Sequence, residues 1–443
     1  MTQQQALALL KMGKNVFLTG AAGSGKTYVL NSYIKYLKKH KITVAVTAST
    51  GIAATHMNGK TIHSWAKIGI KEHLSSTDLQ NIFKNKDYRQ SISEAKVLII
   101  DEISMLHHFR LDMVDAVLRK IHGTKDKPFG GIQVVLCGDL FQLPPVSRGG
   151  NSRYVTDSDV WSEMDIHVCY LTEQYRQNDD TLSQILNEIR LGGISQQSKD
   201  ALRQRFDAKI DLSIRPTRLF THNVDVDVIN QQELNKLSGK SRYYNMTYKG
   251  DKSLTKTLVT NCLAPESLEL KKGALVMFIQ NNYSKGYVNG TLGEVVKFES
   301  SGMPVVKTSK GQMITVSIGS WMIEDGEAVL AEIKQLPLRL AWAITVHKSQ
   351  GMTLDAAEID LSKSFVSGMG YVALSRVRSL KTLSLKGFNN RALNVDPQVL
   401  SLSANLMDDS DYHANNLALL SDRQVEQAHQ EFIKSLNYSG ILL

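Results

Sequence analysis

Short apolar runs alternate with helical patterns through the first 170 or so residues of the chain. The runs cover 16–18, 44–46, 97–100, 134–137 and 167–171. Each is too short for a helix and is typical of a strand buried on both faces. Between the runs, apolar residues recur every three or four positions, most clearly over 109–121, which predicts helices. Strands alternating with helices predict a mostly parallel sheet covered by helices.

The same alternation resumes in the second half of the chain, around a stretch of different character. Apolar runs cover 219–220, 341–344, 357–361 and 383–385, and they predict a second α/β domain. Within it, 272–336 is β-rich and punctuated by glycine-containing turns at Asn289-Gly290, Ser301-Gly302 and Lys310-Gly311. This stretch predicts a small β-barrel inserted into the second domain.

Three further stretches depart from the strand–helix alternation. Residues 2–15 predict a helix leading into the first strand, and residues 67–93 are polar and basic, which predicts an excursion from the first sheet. Near the C-terminus, Ser421 and Gln424 match a helix capping box. The apolar stripe after it, formed by Val425, Ala428, Phe432 and Leu436, predicts a helix that docks on the body of the protein.

Composition narrows the class of protein. The chain has 443 residues, 42% of them hydrophobic, which favours a globular protein of two to four domains. No apolar run is long enough to span a membrane, and the first strand begins too early for a cleavable targeting segment, so we expect a cytoplasmic protein. The net charge of +9 fits either a mildly basic enzyme or a partner of nucleic acid. Cys137, Cys169 and Cys262 lack metal-ligand spacing, and no zinc site is predicted.

A phosphate-binding motif follows the first predicted strand and opens a helix. Its residues are Gly20, Ala21, Ala22, Gly23, Ser24, Gly25, Lys26 and Thr27. The glycines let backbone N–H groups approach phosphate oxygens, and the helix N-terminus adds partial positive charge. Lys26 can reach the terminal phosphates and Thr27 can ligate Mg²⁺. The motif in this setting predicts binding of a nucleoside triphosphate.

Polar residues follow two later strands at the edge where ligands bind in such sheets. Asp101 can hold Mg²⁺, and Glu102 can orient and deprotonate the attacking water. Gln142 follows the next strand and can touch the γ-phosphate. Arg176 and Arg376 can complete the site from another domain, although any single arginine is more often a surface residue.

Seven segments in order carry a family resemblance. They read GAAGSGKT, TASTGIAA, DEIS, KPFGGIQVVLCGDLFQLPPV, LTEQYRQ, ITVHKSQGMTLD and YVALSRVRS. Together they strongly resemble the Pif family of superfamily-one DNA helicases, within the wider RecD-like group, from about residue 3 to residue 388. The resemblance implies an α/β fold with two RecA-like P-loop domains, parallel sheets, ATP between the domains and single-stranded DNA across their tops.

The resemblance also implies individual roles. Gln3 would read adenine, Lys26 and Thr27 would contact phosphate and Mg²⁺, Asp101 would hold Mg²⁺, Glu102 would activate water, Gln142 would sense the γ-phosphate, and Arg176 and Arg376 would be arginine fingers. The DNA contacts it implies are Ser49, Thr50, Gly51, Thr61, His63, Phe141, Pro145, His347 and Lys348. Hydroxyls, amides and lysine suit phosphates, and rings suit base stacking. For His63 alone, a structural histidine is the alternative.

The implied domain organisation is as follows. A first RecA-like domain covers 1–172, with an accessory wedge at 60–95. A second covers 173–271 and 337–405, an SH3-like insert covers 272–336, and a helical segment covers 406–443. The implied cofactors are ATP and Mg²⁺.

We therefore predict an ATP-dependent, monomeric helicase that acts on single-stranded and on tailed or forked duplex DNA, with 5′ to 3′ polarity implied by the resemblance. Repair, recombination and telomere maintenance are the processes that the resemblance implies. Two alternatives stay open at this stage. One is a DNA-remodelling ATPase that separates no strands, and the other is a small-molecule P-loop kinase.

Overall fold

The structure, a computed structural model, describes residues 1–69, 71–145, 153–177, 179–210, 215–221, 226–325 and 328–438. Val146, the last residue of the segment KPFGGIQVVLCGDLFQLPPV, lies outside these ranges. The strands are β1 Asn15–Gly20, β2 Val44–Ala48, β3 Lys60–Thr61, β4 Val97–Asp101, β5 Gln133–Cys137, β6 Ile166–Leu171, β7 Thr217–Phe220, β8 Arg242–Asn245, β9 Thr247–Gly250, β10 Ser267–Leu270, β11 Leu275–Phe278, β12 Leu292–Phe298, β13 Pro304–Thr308, β14 Met313–Thr315, β15 Gly319–Asp325, β16 Ala328–Gln335, β17 Leu338–Leu340, β18 Ala343–Thr345, β19 Ala357–Leu361 and β20 Leu383–Phe388.

The α-helices cover both faces of the sheets and the two ends of the chain. They are α1 Gln3–Lys11, α2 Lys26–Lys39, α3 Gly51–His56, α4 Ile62–Trp65, α5 Ser76–Lys84, α6 Lys86–Ser93, α7 His108–His122, α8 Asp159–Glu163, α9 Asp180–Arg190, α10 Gln196–Arg203, α11 Val226–Asn235, α12 Lys252–Asn261, α13 Met369–Leu374, α14 Pro397–Ala418 and α15 Asp422–Tyr438. Short 3₁₀ turns join several of these elements.

The first sheet is parallel and confirms the strands that the apolar runs predict. Its order is β3-β2-β4-β5-β1-β6, so β1 lies between β5 and β6 and the strand order reverses beside β1. The carboxyl ends of β1, β4 and β5 therefore meet at one edge, where a ligand can contact the loops that follow all three strands. The two-residue β3 was not predicted, because it is too short to carry an apolar pattern.

A second parallel sheet, with the order β18-β7-β19-β20, is built from the later apolar runs. Its strands come from distant parts of the chain, because β7 and β18 are separated by the inserted β-rich region. Two parallel sheets covered by helices are the α/β architecture that the sequence predicts.

The inserted region forms a five-stranded antiparallel sheet with the order β14-β13-β12-β11-β17. The predicted turns at Ser301-Gly302 and Lys310-Gly311 join β12 to β13 and β13 to β14, and both glycines have positive φ. The pairing also crosses the predicted limits of the insert, since β17 lies beyond residue 336 and β16 pairs with β9 before residue 272. Every residue of β9 is exposed, so no apolar pattern marked it as a strand.

The region predicted as an excursion folds into short helices beside α7. Ser75 and Asp78 form a capping box at the start of α5, and α5 and α6 both pack on α7. Ile82 and Ile92 are the buried residues of these two helices. The assignment of 60–95 as a wedge stays a prediction, because the packing alone does not identify its role.

The C-terminal helix docks on the first domain, as the apolar stripe predicts. Ser421 Oγ accepts the N–H of Gln424, and the Gln424 side chain accepts the N–H of Ser421, which completes the capping box before α15. Phe432 packs over Gly13, and Ile433 joins the core beneath α1. Within the part of the chain that the structure describes, no helix has the length and apolar character needed to cross a lipid bilayer.

Candidate active site

The phosphate-binding motif forms the turn between β1 and α2. Gly20, Gly23 and Gly25 all have positive φ, which explains why glycine occupies these positions. The Lys26 ammonium donates to the carbonyl oxygens of Gly20 at 2.8 Å and Ala21 at 3.0 Å. The lysine is therefore held across the loop, where it can meet a bound phosphate.

Two carboxylates stand at the end of β4. Asp101 Oδ1 accepts the Glu102 N–H at 2.8 Å, and Glu102 has left-handed backbone angles of φ 54° and ψ 44°. Such a conformation costs a non-glycine residue about 1–3 kcal/mol and is often found at functional sites. Burial, and then the neighbouring Asp101, raise the pKa of Glu102 to about 7. A carboxyl with a pKa near the working pH suits a general base.

Arg176 reaches the phosphate loop from the segment after β6. The Tyr175 N–H donates to the Gly23 carbonyl at 3.0 Å, and a Cβ on Gly23 would lie 2.5 Å from the Arg176 Cβ. Close approach to Arg176 is therefore a second reason for glycine at position 23. Arg176 Nη1 also donates to the carbonyl oxygen of Ser375 at 3.4 Å. Ser375 directly precedes Arg376, the second arginine.

Arg376 is almost fully buried beside Arg176. Its guanidinium donates to Val372 O at 2.8 Å, to Ser375 Oγ at 2.7 Å and to two further carbonyl oxygens. Burial, and then the like charge of Arg176, lower the pKa of Arg376 to about 9. Among the described residues, neither arginine has a hydrogen bond to a carboxylate. Two adjacent cations, of which Arg376 is fully buried and Arg176 partly buried, favour an anion between them and Lys26.

A third arginine, which the sequence did not single out, lies behind the loop. Arg190 Nη1 donates to Asp139 Oδ1 at 2.7 Å and to the Tyr371 hydroxyl at 3.0 Å, and the hydroxyl donates to Asp139 Oδ2 at 3.0 Å. The same hydroxyl accepts the Ala22 N–H of the phosphate loop at 2.9 Å. Burial acts to raise the pKa of Asp139, but the charges of Arg190 and Lys26 outweigh it, and the pKa is lowered.

Gln142 connects this network to the open part of the site. Its Nε2 lies 3.4 Å from Asp139 Oδ2, while its buried Oε1 has no hydrogen-bond partner among the described residues. Buried polar atoms are usually paired, so an unpaired one at this edge of the sheet suggests that a ligand completes it.

A cavity of about 800 Å³ joins the predicted nucleotide residues to some of the predicted DNA residues. Those that line it are Ala22, Gly23, Gly25, Lys26, Thr27, Thr50, Asp101, Glu102, Gln142, Arg176, His347, Lys348 and Arg376. Tyr175, which is exposed, lines it as well. The cavity is therefore bounded by both parallel-sheet domains.

Other predicted site residues lie outside the lining. Gln3 Nε2 donates to Ser24 O at 3.1 Å. Its side-chain amide therefore lies beside the phosphate loop and is hydrogen-bonded to the backbone of the loop. The remaining nucleotide-site residues, Gly20, Ala21 and Ser24, form the back of the phosphate loop. Gly51 begins α3, and Pro145 lies in the segment after β5 that also carries Gln142.

Several predicted DNA contacts make internal contacts in this conformation. Ser49 Oγ donates to Glu102 O at 2.6 Å, and Thr61 caps α4. His63 is half-buried, and burial followed by the charge of Arg110 lowers its pKa to about 4. Phe141 is buried with its ring 4.1 Å from the Arg190 guanidinium, so it is not open to a base here. The DNA roles of these residues stay predictions.

Comparisons with known proteins place this geometry in context. The model of a PIF1-like helicase matches residues 3–200, and the model of the DNA helicase Pif1 2B domain matches residues 253–298. The second match covers α12 from its second residue onward and the strands β10, β11 and β12.

Similar curated proteins span most of the chain. The ATP-dependent DNA helicase Pif1 of Psychrobacter sp. is 43% identical over 98% of this chain and 75% of its own length. The ATP-dependent DNA helicase PIF1 of Xenopus laevis is 40% identical over 90% of this chain and 63% of its own length. The chain thus spans less than two thirds of the longer vertebrate protein.

Similar solved structures include Pif1 from Bacteroides sp. in complex with ADP-AlF4, which is 31% identical. The alignment covers 92% of this chain and 97% of that one, with a TM-score of 0.80. Bacteroides Pif1 bound to ssDNA, at the same identity and coverage, gives a TM-score of 0.60.

Proposed function

The chain belongs to the PIF1-like family of DNA helicases, and on that premise we propose that it hydrolyses ATP between its two parallel-sheet domains to move along single-stranded DNA and unwind duplexes. The observation that carries this proposal is the shared cavity, which Lys26 enters from one domain and Arg376 from the other. Lys26, Arg176 and Arg376 place three cations around this cavity, which suits the terminal phosphate of ATP. A bound phosphate would draw the two domains together.

Each residue around the cavity then has a chemical task. The loop N–H groups and Lys26 bind the phosphates, and Arg176 and Arg376 stabilise the negative charge that develops on the γ-phosphate oxygens. Glu102 orients a water and accepts its proton as the water attacks phosphorus and the bond to the ADP oxygen breaks. Gln142, whose side-chain oxygen has no hydrogen-bond partner in the described part of the chain, would respond to the presence of the γ-phosphate.

The residues also fit a Mg²⁺ ion. Thr27 and Asp101 line the cavity beside the phosphate loop, and hydroxyl and carboxylate oxygens are the ligands that Mg²⁺ prefers. When bound, the ion would neutralise charge on the phosphate oxygens. Burial raises the pKa of Asp101, and a bound cation would favour the ionised form of its carboxyl.

Binding of DNA is proposed along the side of the cavity that carries Thr50, His347 and Lys348. A Bacteroides relative has been solved bound to ssDNA, and another structure concerns unwinding at forked dsDNA by two coordinating Pif1 helicases. For this chain we propose single-stranded and tailed or forked duplex DNA as substrates, 5′ to 3′ movement and activity as a monomer. If closure around ATP changes which domain grips the strand, hydrolysis and reopening advance it.

The test combines one substitution with two tailed duplexes. Lys26→Ala should abolish ATP hydrolysis, because it removes a charge that contacts the terminal phosphates, while Lys35→Ala, on the exposed face of the same helix, should leave turnover unchanged. Wild-type protein should separate a duplex with a 5′ tail and leave one with a 3′ tail intact.

Three outcomes would contradict the proposal in distinct ways. Normal turnover of Lys26→Ala would remove the phosphate loop from the mechanism. DNA-stimulated hydrolysis without strand separation on either substrate would favour a remodelling ATPase instead. Separation of the 3′-tailed substrate alone would reverse the proposed polarity.

A further inference from the structure

One turn in the second parallel-sheet domain carries two predicted DNA contacts and lies beside the catalytic groups. It begins at Thr345, the last residue of β18, and ends at residue 352. The Ser349 N–H donates to Thr345 O and the Met352 N–H donates to Ser349 O, both at 3.0 Å. The Lys348 N–H donates to the Thr345 hydroxyl at 3.2 Å. Because its backbone is tied to itself, a contact on one part of the turn is transmitted to the rest.

Gln350 extends from this turn across the cavity to the opposite domain. Its Nε2 donates to Glu102 Oε2 at 3.0 Å, a contact between residues 248 positions apart. The Gln350 Oε1 atom is buried and, in the described part of the chain, has no hydrogen-bond partner. The amide is therefore held by the carboxylate of the proposed general base rather than by its own domain.

The same turn also holds Arg376. The carbonyl oxygens of Ser349 and Met352 each accept from Arg376 Nη1 at 3.3 Å. His347 and Lys348, in the middle of the turn, line the cavity. One turn therefore carries two proposed DNA contacts and supports both the base and an arginine that faces the phosphate.

We propose that Gln350 is a positioning residue that holds Glu102 in its working orientation when DNA fixes the turn. This inference rests on the proposed function, because it requires that His347 and Lys348 contact DNA. An N–H donor on one carboxylate oxygen fixes the orientation of the carboxylate and directs the other oxygen toward the water. When His347 and Lys348 contact DNA, the turn is held in the arrangement in which Gln350 bonds to Glu102, so hydrolysis is faster with DNA than without it.

The experiment measures ATP hydrolysis by the full chain without DNA and with saturating poly(dT), for wild type, Gln350→Ala and Gln350→Glu. Both variants should keep their affinities for poly(dT) and for ADP within about twofold of wild type. Their stimulation by DNA should fall by about 10- to 100-fold, because a mispositioned general base loses much of its contribution. Gln350→Glu preserves side-chain size, so it tests the proposal even if the alanine variant folds poorly.

The matched control is Gln427→Ala, which removes the same type of contact on an exposed helix, where Gln427 Nε2 donates to Glu431 at 2.8 Å. Its stimulation should equal that of wild type. Full stimulation of both Gln350 variants would overturn the inference, and so would a loss that arises from weaker DNA affinity alone. A wild-type enzyme with no stimulation by DNA would instead contradict the proposed function.

Discussion

Two groups of buried polar residues meet at the phosphate loop, and they differ in how fully they are paired. The ion-pair cluster consists of Asp139, Arg190 and Tyr371. The Tyr371 hydroxyl accepts from Arg190 and from the Ala22 N–H of the phosphate loop, and it donates to Asp139. The phosphate-facing cluster consists of Glu102, Gln142 and Arg376. There, Gln142 Oε1 has no partner among the described residues, Glu102 is left-handed, and burial lowers the pKa of Arg376.

This difference separates a structural role from a catalytic one. Buried polar groups are normally paired because an unpaired one costs about 1–3 kcal/mol. A cluster whose charges balance needs no ligand and should contribute to stability. A cluster with strained, unpaired or like-charged groups is stabilised by the ligand that it binds, so changes there should affect turnover much more than folding.

The largest expected effect is on turnover, from Glu102→Gln. The amide keeps the shape of the side chain but cannot accept the proton of the attacking water, so kcat should fall by about 10²–10⁴-fold. ATP and DNA affinity should persist. Steady-state hydrolysis and nucleotide-binding titrations check this, with Glu94→Gln, at an exposed position after α6, as the control. Wild-type turnover in Glu102→Gln would show that another group is the base.

Glu102→Gln should not be less stable than wild type, in contrast to a variant of the ion-pair cluster. The folded pKa of Glu102 is about 7, above an unfolded value of about 4.3. The neutral carboxyl therefore favours the folded state at low pH, and this contribution is lost as pH rises from about 4 through 7. At pH 8 the buried charge is a cost that the amide removes. The urea midpoint of Glu102→Gln should equal or exceed that of wild type, and a clear decrease would contradict this assignment.

The opposite result is expected for Asp139→Asn in the ion-pair cluster. The amide cannot balance Arg190, which is left as a buried charge without a counterion, so the free energy of unfolding should fall by about 3–5 kcal/mol. Urea unfolding measures this loss. In the control Asp112→Asn, the replaced carboxylate accepts backbone N–H groups of Val160 and Asp159 and has no ion pair in the described residues, so the loss should be much smaller. Equal losses of unfolding free energy in Asp139→Asn and Asp112→Asn would show that the ion pair between Asp139 and Arg190 contributes no more to stability than backbone hydrogen bonds do.

The strands and the phosphate loop could be predicted because their signals are local. Apolar runs and the residues Gly20 to Thr27 are contiguous in sequence, and Asp101 and Glu102 directly follow a buried strand. The two fingers required a resemblance, because Arg176 and Arg376 are 200 positions apart in the chain. Their convergence on one cavity is set by the packing of two domains, which no local pattern encodes.

Arg190 was missed for a related reason. It lies at the end of a helix with a regular apolar stripe, where an arginine is usually exposed and favourable for the helix dipole. Its partners Asp139 and Tyr371 lie 51 and 181 positions away. In the sequence, the residues after the strand at 134–137 point to Gln142 as a phosphate contact and give no sign of a partner for Asp139. The apolar run over 134–137 indicates that this strand is buried. It does not indicate which cation pairs with Asp139 just beyond the end of the strand.

The smallest expected effect concerns Tyr371→Phe. Tyr371 belongs to the ion-pair cluster and contacts the phosphate loop through the Ala22 N–H. Removing the hydroxyl leaves the Ala22 N–H and one Asp139 oxygen without that partner, so unfolding free energy should fall by about 1–3 kcal/mol. Because Ala22 belongs to the loop that binds phosphate, the KM for ATP should also rise by about two- to tenfold. The control is Tyr33→Phe, which removes another buried hydroxyl. Tyr33 donates to Gln133 and packs in a hydrophobic cluster that does not include Tyr371, so this variant should lower stability without changing the KM for ATP. If both variants lose stability and neither changes KM, the ion-pair cluster supports the fold but does not position the loop.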